Sequence, residues 1–414
     1  MIVTRKACYA AWYVLLSLAA CSIGQASEWV QTWGAAPVPA TVARGPFPAS
    51  PSFANQTIRQ IVRVSVGGSR VRIRFSNEYG TKPLVIGAAF VALSDEKGNV
   101  QPGTERRVMF SGQATTSIPA AAPWVSDPVD LPVKPLTSLS ISVYFPADTG
   151  PCTCHQTGMQ NAFVSATGDF AGQSFVPKQT LQMRAFLSGV DVLPSREARV
   201  VVALGDSITD GVGSTADADR RWPDLLANRL DERSDAWGVV NMGISGNRLL
   251  ADGAGQSALA RFDRDVLSVP GAKVVIVFLG VNDLGISYGN MQGPMARLFN
   301  ANAGIKVTFR SMQAGYRQLI TRAHAKGLKV FGATITPYGG SGYYSTDGDA
   351  VRGAINTWIR TSHEFDGVID FDAVMRDPGQ PNRIKESYQH GDHLHGSDAG
   401  YAAMAQAIQL SLFK

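Results

Sequence analysis

The chain has 414 residues, 45% hydrophobic, 17% charged and 9% aromatic, a globular composition that excludes disorder as the main state and leaves room for two or three domains. Its 38 Lys and Arg against 33 Asp and Glu give a net charge of +5. With no basic cluster longer than pairs such as Arg106-Arg107 and Arg220-Arg221, the chain lacks the footprint of a nucleic-acid binder, and none is expected as a partner.

Arg5 and Lys6 precede an apolar stretch over 7–20, and small residues follow at Gly24 and Ala26. Charge, apolar core and small residues in that order make a secretory signal, expected to occupy residues 1–26. The stretch is too short for a membrane anchor, and no later apolar run approaches the roughly 20 residues a bilayer demands. Leu18-Ala19-Ala20-Cys21 also fits a bacterial lipobox, in which a lipidated Cys21 would attach the chain to a membrane; both cleavages stay open. Either way the expected location is extracytoplasmic. Removing the leader lowers the positive surplus to three. Cys152 and Cys154 then face an oxidising compartment. They stand too close together for tetrahedral zinc, and a strained local disulfide is expected instead.

Over residues 27–192 the pattern has period two. Val71, Ile73 and Phe75 alternate with Arg70, Arg72 and Arg74, and together with the run 60–66 and Gly67-Gly68 they predict a hairpin. Further strands are expected over 84–93, 107–111, 139–145 and 181–190, giving an antiparallel, jelly-roll-like β-sandwich. The arginine stripe reads as a solvated strand face rather than a patch for acidic ligands.

From residue 197 to 414 the period changes. Apolar runs at 200–204, 238–241, 274–279, 330–335 and 368–371 alternate with helical patterns at 223–233, 258–267, 309–326, 350–364 and 398–412. Such alternation specifies a parallel sheet with helices on both faces, and such sheets carry their sites at the carboxyl ends of the strands.

Four short segments fall at those ends. Gly205-Asp206-Ser207 follows the first strand and would present a serine hydroxyl at a helix start, although Gly-Asp-Ser by itself is an ordinary turn or N-cap. Asn241 to Asn247 follows the second and contains Gly243 and Gly246, whose amides can approach a ligand closely. Gly280-Val281-Asn282-Asp283 follows the third and offers a carboxamide donor. Asp392-His393-Leu394-His395 precedes the last helix, where a carboxylate could orient an imidazole that acts as base for the serine.

In this order the segments resemble the four blocks of the SGNH hydrolases, or GDSL esterases and lipases. The resemblance implies a flavodoxin-like three-layer α/β/α hydrolase domain. It assigns Ser207 as nucleophile, Asp392 and His395 as its triad partners, and the amides of Ser207 and Gly246 with the Asn282 side chain as the oxyanion hole. The Asp-x-x-His spacing selects His395 over His393. No metal or cofactor is implied. Trp29 to Trp33 and His155 to Gln160 further resemble bacterial two-domain members with an N-terminal β domain.

Gly285-Ile286-Ser287-Tyr288-Gly289 satisfies the G-x-S-x-G pattern, but Ser287 lies well past its strand, and 284–304 reads as a loop walling the pocket. His324 and His363 are expected in helices with packing or solvated roles, His390 near the triad loop, and His155 as structural. The glycine-rich loop 338–349, with Tyr338, Tyr343 and Tyr344, suits sugar or aryl stacking or is a plain surface loop. The expected function is an exported serine esterase hydrolysing short acyl esters, with acetylated polysaccharide such as xylan as substrate. A lipase or thioesterase on lipid or aryl esters and an inert glycan-binding protein are the alternatives.

Overall fold

The computed structural model describes residues 28–42, 49–95, 97–289 and 306–414. The expected leader, with Cys21, lies outside the described residues, as does 290–305.

Residues 30–193 build two facing antiparallel sheets. One joins Val30–Gly34, Leu187–Leu193 and Gly68–Ser76, with Pro123–Val125 and Val129–Val133 along the far side of the last. The other runs Gln179–Leu181, Ala162–Thr167, Gln56–Arg63, Ser138–Phe145, Ala88–Ser94 and Arg106–Arg107. Alternation drives the packing: Val71, Ile73 and Phe75 are buried from one sheet, and Ile58, Ile141 and Val143 from the other.

The predicted hairpin does not form. Gln56–Arg63 and Gly68–Ser76 lie in different sheets, because the donors between them are claimed elsewhere: Val64 N–H by Thr137 O, Ser65 N–H by Thr32 O and Val66 N–H by Thr32 Oγ1. The chain therefore crosses from sheet to sheet. The arginine stripe is likewise less solvated than its alternation implied: Arg74 bonds Asp191, Arg70 pairs with Asp130, and Arg72 stacks over Trp29.

The second half is a five-stranded parallel sheet: β1 (Ala198–Gly205), β2 (Ala236–Gly243), β3 (Ala272–Phe278), β4 (Lys329–Ala333) and β5 (Gly367–Ile369), in the order β2-β1-β3-β4-β5. This is the flavodoxin-like order, whose switch point lies beside the first strand. The helices are α1 (Ser207–Asp210), α2 (Trp222–Asp231), α3 (Ala258–Phe262), α4 (Val281–Tyr288), α5 (Phe309–His324), α6 (Thr346–Thr361), α7 (Phe371–Met375) and α8 (Asp398–Ala407). Residues 284–288, expected as loop, continue α4, because Val281, Leu284 and Ile286 bury their side chains and the helix packs against α6. His363 lies beyond the end of α6 in a left-handed conformation (φ 56°), not within a helix. His324 ends α5, with Nε2 2.7 Å from Asp366 Oδ2.

The two halves share one hydrophobic core. β2 is an edge strand, and the sandwich covers it: Val239 N–H donates to Ser65 Oγ (2.9 Å), which donates in turn to Thr32 O (2.7 Å). Protected edges of this kind leave no open ladder for another chain.

Candidate active site

β1 ends at Gly205, and Asp206 caps the single-turn α1, accepting from Ile208 N–H at 3.0 Å. Ser207 is the first residue of that turn, which closes where Gly211 (φ 98°) donates to Ser207 O. The buried serine side chain thus stands on a rigid step at the strand's carboxyl end.

From the other side of the crevice comes the loop before α8. Asp392 Oδ1 accepts from the N–H groups of Leu394 and His395, both at 2.9 Å, and so folds the chain back on itself with His393 at φ 60°. Gln389 Oε1 fixes the same turn through Gly391 and His393 N–H. The imidazole of His395 is therefore delivered in one orientation. Its Nδ1 lies 2.5 Å from Asp392 Oδ2 and its Nε2 2.7 Å from Ser207 Oγ. A carboxylate only accepts, so the ring proton sits on Nδ1 and leaves Nε2 to accept from the serine. Burial pushes the Asp392 carboxyl up, but the His395 hydrogen bond and charge prevail and hold it well below the usual carboxylate range.

Asn282, near the start of α4, is buried. Its Nδ2 donates to Asn247 O (3.0 Å), and its Oδ1 accepts from Tyr343 OH (3.1 Å). Because a backbone carbonyl can only accept, the orientation of the amide is unambiguous, and a second N–H remains on Nδ2 for another acceptor. Asp283 accepts from Leu249 N–H (2.7 Å) and Leu250 N–H (3.1 Å), tying α4 to the chain that follows Gly246. Gly246 has φ 79°, a backbone that favours glycine and turns the loop after β2. Burial raises Asp283 to about 6 and Asp206 to about 7.

The structure brings Ser207, His395 and Asp392 into one hydrogen-bonded series and sets Asn282 against the carbonyl of Asn247, the residue after Gly246. It also reveals partners that the sequence reading missed. Arg261 of α3, fully buried, donates to Gly205 O (3.0 Å), Met242 O (2.8 Å) and Asn247 Oδ1 (3.1 Å), locking the ends of β1 and β2 together. An arginine on an amphipathic helix ordinarily reads as solvent-facing, so nothing in the sequence marked it. Tyr343 and Tyr338 are buried, so the 338–349 loop packs two of its tyrosines inward rather than presenting them for stacking; Tyr344 is half-buried and accepts from Asn382 Nδ2. Ser287 is engaged at the end of α4, accepting from Val307 N–H (3.2 Å), and is remote from the Ser207 turn in sequence and element. His390 is exposed and contributes its backbone N–H to His395 O. His155, by contrast, is buried against Asp210 of α1, 2.8 Å away.

A doubly wound parallel sheet with a serine, imidazole and carboxylate in series at its carboxyl ends is the architecture of a hydrolytic enzyme. Residues 203–403 match the GDSL-like lipase/acylhydrolase family. That match identifies the parallel-sheet half as a GDSL-like lipase/acylhydrolase domain, which makes the protein a carboxylic ester hydrolase. No curated protein matches the chain. Among solved structures it is similar to the lipase/acylhydrolase from Enterococcus faecalis, with 21% identity over 50% of this chain and 92% of that one (TM-score 0.37). A GDSL-like lipase from Bacteroides thetaiotaomicron has 17% identity over 52% and 88% (TM-score 0.38). An acetyl xylan esterase has 22% identity over 50% and 96% (TM-score 0.36). These likenesses concern fold alone.

Proposed function

We propose that the protein is an exported serine esterase that removes short acyl groups, acetyl foremost, from carbohydrate such as acetylated xylan. The observation that carries the chemistry is the unbroken series Asp392 Oδ2, His395 Nδ1, His395 Nε2, Ser207 Oγ, with links of 2.5 and 2.7 Å. Ser207 Oγ attacks the ester carbonyl as His395 Nε2 takes its proton. The oxyanion is held by the amides of Ser207 and Gly246 and by Asn282 Nδ2. The imidazolium protonates the departing alcohol, leaving an acyl-serine. Water then adds by the same route, releasing the acid and restoring the serine.

Short acyl groups are favoured by Tyr343. Its ring lies so close on α4 that a β-carbon at Gly285 would stand 2.2 Å from it, and its hydroxyl holds Asn282. The space beside the oxyanion hole is therefore filled by a fixed aromatic wall. The polysaccharide part rests on the export expected from residues 1–26 of the sequence and on the β-sandwich companion. Fluorophosphonate labelling lost in Ser207→Ala, together with acetate release from acetylated xylan, is the expected result. A p-nitrophenyl ester series peaking at long chains would overturn the short-acyl assignment. Failure on every acetylated glycan would overturn the carbohydrate one.

A further inference from the structure

We propose that the β-sandwich supplies a positioning residue for the oxyanion hole: His155, acting through Asp210 and Ser245 on the amide of Gly246. This rests on the esterase reading above. His155 Nδ1 lies 3.0 Å from Ala36 O, and its Nε2 lies 2.8 Å from Asp210 Oδ1 and 3.1 Å from Thr157 O. Every one of these partners is an acceptor, so both ring nitrogens must carry protons and the ring is an imidazolium. Burial opposes that charge, but the Asp210 carboxylate and the hydrogen bonds outweigh it and raise the histidine above its ordinary value.

Asp210 belongs to the same single turn as Ser207. Its second oxygen, Oδ2, accepts from both the N–H and the Oγ of Ser245, each at 2.9 Å, and Thr157 Oγ1 meets Ser245 Oγ at 2.8 Å. Gly246 follows directly. One carboxylate therefore fixes the nucleophile turn to the oxyanion loop, and the cation hydrogen-bonded to it comes from the other half of the molecule. Arg221 and Arg261 also bear on Asp210 electrostatically, yet each is hydrogen-bonded to its own aspartate, Asp224 and Asp265. Without His155 the buried carboxylate loses the N–H donor that holds its Oδ1, and with it the geometry that holds Ser245. A shift of about 1 Å in a catalytic donor is enough to cost of the order of 10²-fold in rate.

The test is a double-mutant cycle on the full chain with p-nitrophenyl acetate, combining His155→Ala with Asn282→Ala. Acting through the hole, His155→Ala should lower kcat about 10- to 100-fold with KM within about threefold, and the loss should shrink to under about threefold when Asn282 is already alanine. His155→Gln, which keeps an N–H for Asp210, should recover most of the rate. Equal losses in both backgrounds, or a change in KM alone, would overturn the proposal. If His155→Ala gives no cooperative melt, Asp210→Asn is carried through the same cycle; it keeps the volume but turns one carboxylate oxygen into a donor, and additivity there is equally fatal. Undiminished turnover in Ser207→Ala would instead sink the esterase reading, which separates the two failures.

Discussion

Replacing Asp392 by asparagine isolates the orienting role of the carboxylate. Asp392 Oδ1 already serves the N–H groups of Leu394 and His395, and an asparagine carbonyl can keep both bonds. Its NH₂ then faces His395 Nδ1, which must become the acceptor. The ring proton moves to Nε2 and points at Ser207 Oγ, 2.7 Å away, so the base is lost. Where the aspartate is sealed from water, a wrong tautomer costs about 10⁴-fold in kcat, or about 5 kcal/mol at 1.36 kcal/mol per decade. Here the Asp392 side chain is 44% exposed against 14% for His395. Water can therefore reach the carboxamide and let it rotate away, and the expected loss falls to about 10²- to 10³-fold, about 3–4 kcal/mol. Initial rates on p-nitrophenyl acetate, with thermal melts to establish folding, measure it. A folded Asp392→Asn enzyme within tenfold of wild type would refute the orienting role.

Asn282→Ala should cost about 10²- to 10³-fold in kcat with Ser207 untouched, and near-normal turnover would remove Asn282 from the hole. Tyr343→Phe deletes only the hydroxyl that fixes the Asn282 amide, so kcat should fall roughly 2- to 12-fold, the worth of one neutral hydrogen bond; an unchanged rate would show that the amide is held without it. Asp206 and Asp283, raised by burial to about 7 and about 6, hold their protons longer folded than unfolded, so they favour the folded state at low pH and that contribution is lost as pH rises. The urea midpoint should therefore drop between about pH 4 and 7, and Asp206→Asn, which can still cap Ile208, should flatten the drop; an unaltered slope contradicts the assignment. Replacing Cys152 and Cys154 by serine opens a loop of sequence separation 2, and loop entropy this small predicts only about 1–2 kcal/mol of destabilisation by urea titration.

The parallel half was legible because its periodicity is strong: each of the five strands and the helices α2, α3, α5, α6 and α8 fall within a few residues of their apolar runs. Ser207, Gly246 and Asn282 could be singled out because they lie just after strands of the parallel sheet, and Asp392 and His395 because of their spacing before the last helix. What escaped was long-range. The strands flanking Gly67 read as a hairpin because alternation reports faces and not partners, and only Thr32 and Thr137 decide that the chain crosses between sheets. Arg261 and Asp210 escaped for a related reason: a buried ion is recognisable only from partners in other elements. His155 was read as structural because its own neighbours carry no hint that a carboxylate waits 55 residues later.

Those hidden contacts share a location. In the order β2-β1-β3-β4-β5 Ser207 follows an interior strand, supported on both sides, whereas Ile244 to Gly246 follows the edge strand, supported on one. An edge strand's free ladder and the loop beyond it are the least constrained parts of a sheet. The sandwich adds support at both points, through Ser65 on the strand at Val239 and through Thr157 and the His155–Asp210 pair on the loop at Ser245. The N-terminal half is thus continuous with the hydrolase core rather than tethered to it. Severing the halves should expose an unsatisfied strand edge and loosen the donor loop together.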